Sequence, residues 1–235
     1  MDCLNTNIKK NKKINNEIQM EAMVTSIKTN WLYYITLGVC FYILKKYTDP
    51  RGSYAMFIIT YAFISLFGHF VHMTSHNVNF NKLLKNNCKH NIFYKNKYCK
   101  YALRKWCDFL DFHSTTHHDS SVNKAPLNIV YEFINNLFMQ GCGLIILIKL
   151  INLLDTRIIL LWAFMYASVH NINYMILKPS THRDHHKNDK TNYGIDISDI
   201  MFNTKYDWND IENHNHISIN LIIISVAIAI IYAYF

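Results

Sequence analysis

Proline and glycine are scarce, three and six in 235 residues. That scarcity excludes collagen-like chains, low-complexity linkers and turn-rich β-sandwiches. Charged residues reach only 17%, below the usual quarter. The six cysteines, Cys3, Cys40, Cys88, Cys99, Cys107 and Cys142, form no C-x-x-C pair. Free thiols are therefore expected, and neither a zinc finger nor a thioredoxin-type site is supported. There is no P-loop, no G-x-G-x-x-G and no H-E-x-x-H, which removes the common nucleotide-binding and zincin readings. The first thirty residues cluster Lys9, Lys10, Lys12 and Lys13 around no apolar core, so no secretory signal peptide is expected there.

In place of these features are long apolar stretches and thirteen histidines. The stretches run over residues 31–44, 52–71, 127–154 (interrupted by Asn135, Asn136 and Lys149), 158–177 and 217–235. A spanning helix needs about 20 mostly apolar residues, with 17 as a working minimum. The second, fourth and fifth stretches meet that length. The third does if its polar residues face protein, and the first only by extending to Tyr47. A soluble bundle is the alternative, but it leaves too little polar sequence to cover so many apolar helices. The expected fold is an all-α integral membrane helical bundle of two hairpins with a cytosolic histidine-rich metal-binding cap. The C-terminal run is a candidate additional transmembrane helix. The expected divisions are a polar basic tail over 1–30, a membrane domain over 31–207 and a C-terminal segment over 208–235.

The net charge of +8 follows this topology. With hairpins at 31–71 and 127–177, every Lys and Arg except Lys45, Lys46, Arg51, Lys149 and Arg157 falls on one side. Basic loops stay cytosolic. The charge thus reports orientation in a multi-pass protein of an internal membrane such as the endoplasmic reticulum. No interleaved basic–aromatic motif points to nucleic acid.

Ten histidines fall next to apolar stretches on that same side. His69, His72 and His76 are spaced by three and four, which puts them on one helical face. His113, His117 and His118 precede the third stretch. His170 lies near the end of the fourth, and His182, His185 and His186 follow it. Neutral imidazole is the commonest metal ligand. Each pattern alone has a bland reading as hydrogen-bonded histidine, whereas three clusters on one side are hard to assemble by composition. Eight or nine imidazoles exceed what one ion uses, so two metals are the natural count. Imidazole alone fits iron, zinc or copper. His90, His214 and His216 lack a partner pattern and read as solvated loop residues. Ligating imidazoles usually donate their other N–H to a carboxylate or carbonyl; by proximity Asp119, Asp184, Asp196 and Asp199 are candidates.

These residues resemble the fatty acid hydroxylase superfamily of histidine-box oxygenases, which includes sterol desaturases, sterol methyl oxidases and sphingolipid or fatty-acyl hydroxylases. Its boxes are met by His72/His76, His113/His117/His118 and His182/His185/His186. His170-Asn-Ile-Asn-Tyr174 looks like its histidine and tyrosine ahead of the third box. Asn192-Tyr193-Gly194 looks like its NYG element, and Asp199-Ile-Met-Phe202-Asn-Thr204 like its D-x-x-F-G-T ending, with Asn203 in place of glycine. The resemblance spans about residues 60–207. The second box departs from it, with three residues before its histidine pair where many members have two. No HPGG signature of a fused cytochrome b5 domain occurs, and a strongly apolar C-terminal run is not typical of members.

The resemblance implies a di-iron centre that uses O2 to attack a C–H bond of a lipid such as a fatty acyl chain, sphingolipid or sterol. The eight box histidines would be ligands and His170 a ninth, while His69 would pack or support them. Asn192 and Tyr193 would stand beside the site with Asp119, Asp184 and Asp199. Cytochrome b5 and its reductase would supply electrons, since the chain carries no flavin or nicotinamide fingerprint. Hydroxylation is preferred over desaturation on the closest motifs. Zinc can replace iron during expression, and a membrane zinc hydrolase or a catalytically silent metal-binding relative remains the alternative.

Overall fold

The computed structural model describes residues 2–87, 95–118, 126–148 and 154–234, with side chains from residue 16 onward and not for 146–148. All regular structure among them is helical, with no strand. Packing divides the chain into two units, residues 53–175 and residues 1–52 with 176–235.

The first of these units opens with α3 (Tyr54–Asn77). Its buried residues Phe57, Tyr61, Ile64, Gly68, His72 and Ser75 recur at three- and four-residue steps, so one stripe carries both the apolar core and a metal-ligand candidate. Beyond α3 come α4 (Phe80–Asn87), α5 (Lys97–Leu110), α6 (Pro126–Leu137), α7 (Gly143–Ile148) and α8 (Thr156–Ser168). Helix α8 is buried on most of its circumference, through Ile158, Ile159, Leu161, Trp162, Ala163 and Met165. It packs against α3, α6 and the π-helical turn Phe138–Cys142. At Gly68 a methyl group would sit 2.3 Å from Gln140 Oε1 and 3.1 Å from Trp162 Nε1, so a larger residue would require the Gln140 side chain to move.

Helix α6 is polar inside and apolar outside. Glu132, Asn135 and Asn136 are buried, whereas Leu127, Val130, Tyr131 and Ile134 are exposed. Water would select the opposite arrangement.

The other unit contains α1 (Asp2–Thr29) and α2 (Trp31–Thr48), so the N-terminal basic segment is helical. After the short α9 (Tyr174–Leu177) come α10 (Ser180–Lys187), α11 (Asp196–Phe202) and α12 (Ser218–Tyr234). Helix α12 lies along α2. The α2 stripe Tyr33, Thr36, Leu37, Cys40, Phe41 and Leu44 meets Leu221, Ser225, Ile228 and Ala229 of α12, where small residues allow close contact. Asn30 ties the α1–α2 junction down: its Nδ2 donates to Glu212 O at 3.0 Å and its Oδ1 accepts from His214 N at 2.6 Å.

Among the described residues two helices, Tyr54–Asn77 and His214–Tyr234, are long and apolar enough to cross a membrane. The third and fourth apolar stretches do not form single α helices of that length. A π-helical turn, Phe138–Cys142 in one and Val169–Asn173 in the other, interrupts each.

Candidate metal centre

Helix α3 delivers the first box. His72 and Ser75 lie on its buried stripe, and His76 is half-buried one turn beyond His72. His69 is 1% exposed and stands edge-on to Phe70, outside every potential metal-binding group among the described residues.

The second box occupies a π-helical turn, His113–His117, closed by the bond from His118 N to His113 O at 3.3 Å. The turn explains the three-residue spacing. In an α helix about 100° per residue would carry His118 some 140° away from His113. Bonding from i to i+5 widens the turn, so that i, i+4 and i+5 share a face. His113 and His117 accordingly stack with ring centroids 5.0 Å apart, and His118 stands 5.0 Å from His113. Buried Asp111 anchors this turn to the start of α4, accepting from Phe80 N at 2.8 Å and Asn81 N at 2.9 Å.

Within this unit one ligand atom from each of His72, His76, His113 and His118 lies within 4.8 Å of the others. His113 Nε2 is buried with no hydrogen-bond partner among the described residues. Burial, reinforced by the neighbouring imidazoles of His72, His117, His170 and His118, holds the His113 pKa well below the ordinary histidine range. Its ring is therefore in the neutral, metal-binding form. His170, on the π-helical turn Val169–Asn173, places Nε2 3.0 Å from His117 Nε2. Two ligands at right angles with metal–nitrogen bonds of about 2.1 Å would stand about 3.0 Å apart. The donor set thus fits a metal ion, and these buried histidine clusters could hold one.

Glu132 was missed by the sequence reading. It is 8% exposed, with Oε1 2.5 Å from His117 Nδ1 and 4.0 Å from His170 Nε2. A carboxylate on Nδ1 directs Nε2 toward a metal. The available signal was a lone acid within an apolar helix, followed by Asn135, Asn136 and Gln140 on the same face. Tyr166 OH lies 3.4 Å from His72 Nδ1.

The third box belongs to the other unit. On α10, His182 Nε2 and His186 Nε2 are 3.1 Å apart, and buried His185 places Nδ1 2.5 Å from Thr191 O. The residues after the box form its scaffold. Asn192, left-handed at φ 53°, donates to Thr181 O at 3.0 Å and accepts from Tyr206 N at 3.0 Å. Tyr193 is buried with its ring 6.0 Å from that of His185. Asp199 accepts from Tyr193 N at 2.8 Å, Gly194 N at 3.1 Å and Thr204 Oγ1 at 2.7 Å. Burial pushes its pKa up to about 7 against the pull of those donors. Asn203 adopts φ 58°, ψ 38°, a left-handed turn that glycine takes most readily and asparagine tolerates.

Asp184 pairs with Lys187 Nζ at 2.7 Å. Asp119 and His90 lie outside the described residues. His216 is half-buried, and the expectation for His214 is corrected. It is 4% exposed, with Nδ1 3.7 Å from Glu212 Oε1 and Nε2 3.9 Å from Asp196 Oδ2. Lys205 pairs with the same Asp196, and Thr181 Oγ1 donates to Glu212. The polar local sequence looked solvated because Asp196 and Thr181 join His214 and Glu212 only through the fold.

No family model, curated protein or solved structure matches the chain.

Proposed function

We propose that the chain is an integral-membrane di-iron oxygenase that hydroxylates, or alternatively desaturates, a C–H bond of a lipid. The observation that carries the reading is the convergence of His72, His76, His113 and His118 ligand atoms within 4.8 Å inside one unit. His117 and His170 adjoin them. The resemblance adds His182, His185 and His186. Iron held by these imidazoles would supply the reduction of O2, with electrons from a separate donor of the cytochrome b5 type.

The chain's own residues bind and orient. Glu132 fixes the His117 ring through Nδ1, Tyr166 approaches His72 at Nδ1, and Asp111 sets the turn that aims the second box. The left-handed conformation at Asn203 makes its departure from the D-x-x-F-G-T pattern mild. The outward apolar faces of α6 and α12 favour a multi-pass protein in an internal membrane, its boxes on the cytosolic side.

A membrane zinc hydrolase gains support from Glu132, since a buried carboxylate beside imidazoles also suits the activation of water. Comparative lipidomics of a membrane host, with and without the chain, separates the two. Oxidised lipid that disappears in a His185→Ala/His186→Ala variant and requires cytochrome b5 in reconstituted membranes is expected. Hydrolysed lipid in its place selects the zinc reading.

A further inference from the structure

Helix α5 presents two unlike faces. Cys107 is buried and Leu103 and Leu110 are half-buried, whereas Lys97, Tyr98, Tyr101, Arg104 and Lys105 are exposed. Tyr98 and Tyr101 are 81% and 65% exposed, so the protein covers neither ring. Helix α4 packs against α5 and adds exposed Lys82 and Lys85, and exposed Lys95 stands just ahead of α5. The acids of this segment are already engaged. Asp111 is buried, and Asp108 accepts from Asn81 Nδ2 at 3.1 Å and pairs with Lys105 Nζ at 3.6 Å. The exposed cations therefore far outnumber the one exposed carboxylate among the described residues of this segment.

The aromatic residues place this basic face. Trp106 stacks on Phe109 with ring centroids 5.7 Å apart, and both stand edge-on to Phe138 at 5.5 Å. Phe109 and Phe112 continue to Tyr131, at 6.0 Å and 4.6 Å. Tyr131 belongs to the outward apolar face of α6, with Leu127, Val130 and Ile134. Cations and tyrosines thus adjoin a surface suited to hydrocarbon. That is the order met at a membrane boundary, where aromatic rings gather at headgroup depth and basic side chains reach the headgroups. A polyanion in solution, such as RNA, would need no such apolar neighbour.

We infer that the exposed basic–aromatic face of α4 and α5 docks on anionic phospholipid headgroups of the cytosolic leaflet. Clusters of about four to eight Lys or Arg on an amphipathic helix attract such lipids. The inference rests on the membrane placement in the proposed function and requires no metal. It ties the segment that leads into the second box to the headgroup layer.

Carbonate washing of membranes from a host that expresses the chain comes first; release of the chain overturns both the membrane placement and the inference. Retained chain is purified in detergent, equilibrated with mixed micelles of phosphatidylcholine and a minority of phosphatidylserine, and recaptured for analysis of its bound lipid. Phosphatidylserine is expected to be enriched over its bulk fraction by about fivefold, the effect of one basic residue at an anionic surface. Near 1 M salt, where the screening length falls to about 3 Å, the enrichment should vanish. Lys97→Gln/Arg104→Gln/Lys105→Gln should remove most of it, whereas Lys45→Gln/Lys46→Gln at the end of α2 should leave it unchanged. Should the triple variant fail to fold, the salt series on wild-type chain still decides. No enrichment in wild type, enrichment that persists in high salt, or equal loss in the two variants overturns the inference and leaves the membrane placement standing. Displacement of phosphatidylserine by polyuridylate would assign the face to nucleic acid and overturn it as well.

Discussion

Glu132 shows how a single side chain can set a site that spacing alone does not reveal. A glutamine there keeps the shape and removes the charge facing His117 Nδ1. Glu132→Gln is expected to lower metal affinity about 10- to 100-fold, read by competition with a chelator; unchanged affinity would remove the carboxylate from the centre. Gly68 is the opposite case, a residue important for what it lacks. Gly68→Ala should destabilise the fold by about 1–3 kcal/mol, visible as a lower melting temperature, because the methyl displaces Gln140 from its buried contacts with Trp162 and Gly68 O. At this scale the sequence revealed the histidines through their periodicity. It did not reveal Glu132, whose partners His117 and His170 lie 15 and 38 positions away, or the burial of His214 against Asp196. His214 sits in no pattern with its neighbours, and the polar face that Glu132 shares with Asn135, Asn136 and Gln140 names no partner, so tertiary packing identifies both contacts.

At the scale of elements, the π-helical turn makes H-x3-HH equivalent to an H-x2-HH box on an α helix. Deleting Thr115, an exposed residue within the turn, should let an α turn form with its histidines still on one face. Metal binding is expected to survive that deletion, whereas its loss would mean that the π geometry itself is required. Asp199 performs the corresponding service for the third box by accepting from two backbone amides and Thr204. Asp199→Ala leaves those donors unmet and should lower stability by more than about 2 kcal/mol, measured by denaturant titration. The sequence anticipated apolar stretches well, and α3 and α12 follow them. It treated the third and fourth as continuous, since hydropathy does not register a π-helical turn. The inward polar face of α6 was legible in Asn135 and Asn136, read there as interruptions.

For the molecule as a whole, histidine clusters that could hold a metal ion occur together with helices whose exposed faces are apolar. His113 is held neutral when folded, while an unfolded histidine takes up a proton near pH 6.5. Its contribution to stability is therefore present above about pH 6.5 and is lost as pH falls. The melting temperature of metal-free chain should drop on acidification through that range, a trend that His113→Asn should flatten. The overall class, all-helical with candidate spans and clustered imidazoles, was readable because each rests on local periodicity. The packing of α2 with α12 was not, because Leu221, Ser225, Ile228 and Ala229 read simply as part of an apolar run. The most direct test of the central claim is the metal content of full-length chain purified from iron-supplied membranes. The account predicts about two metal ions per chain, falling sharply in His113→Ala and His118→Ala. Chain that purifies folded without metal, or variants that retain the full complement, would contradict it.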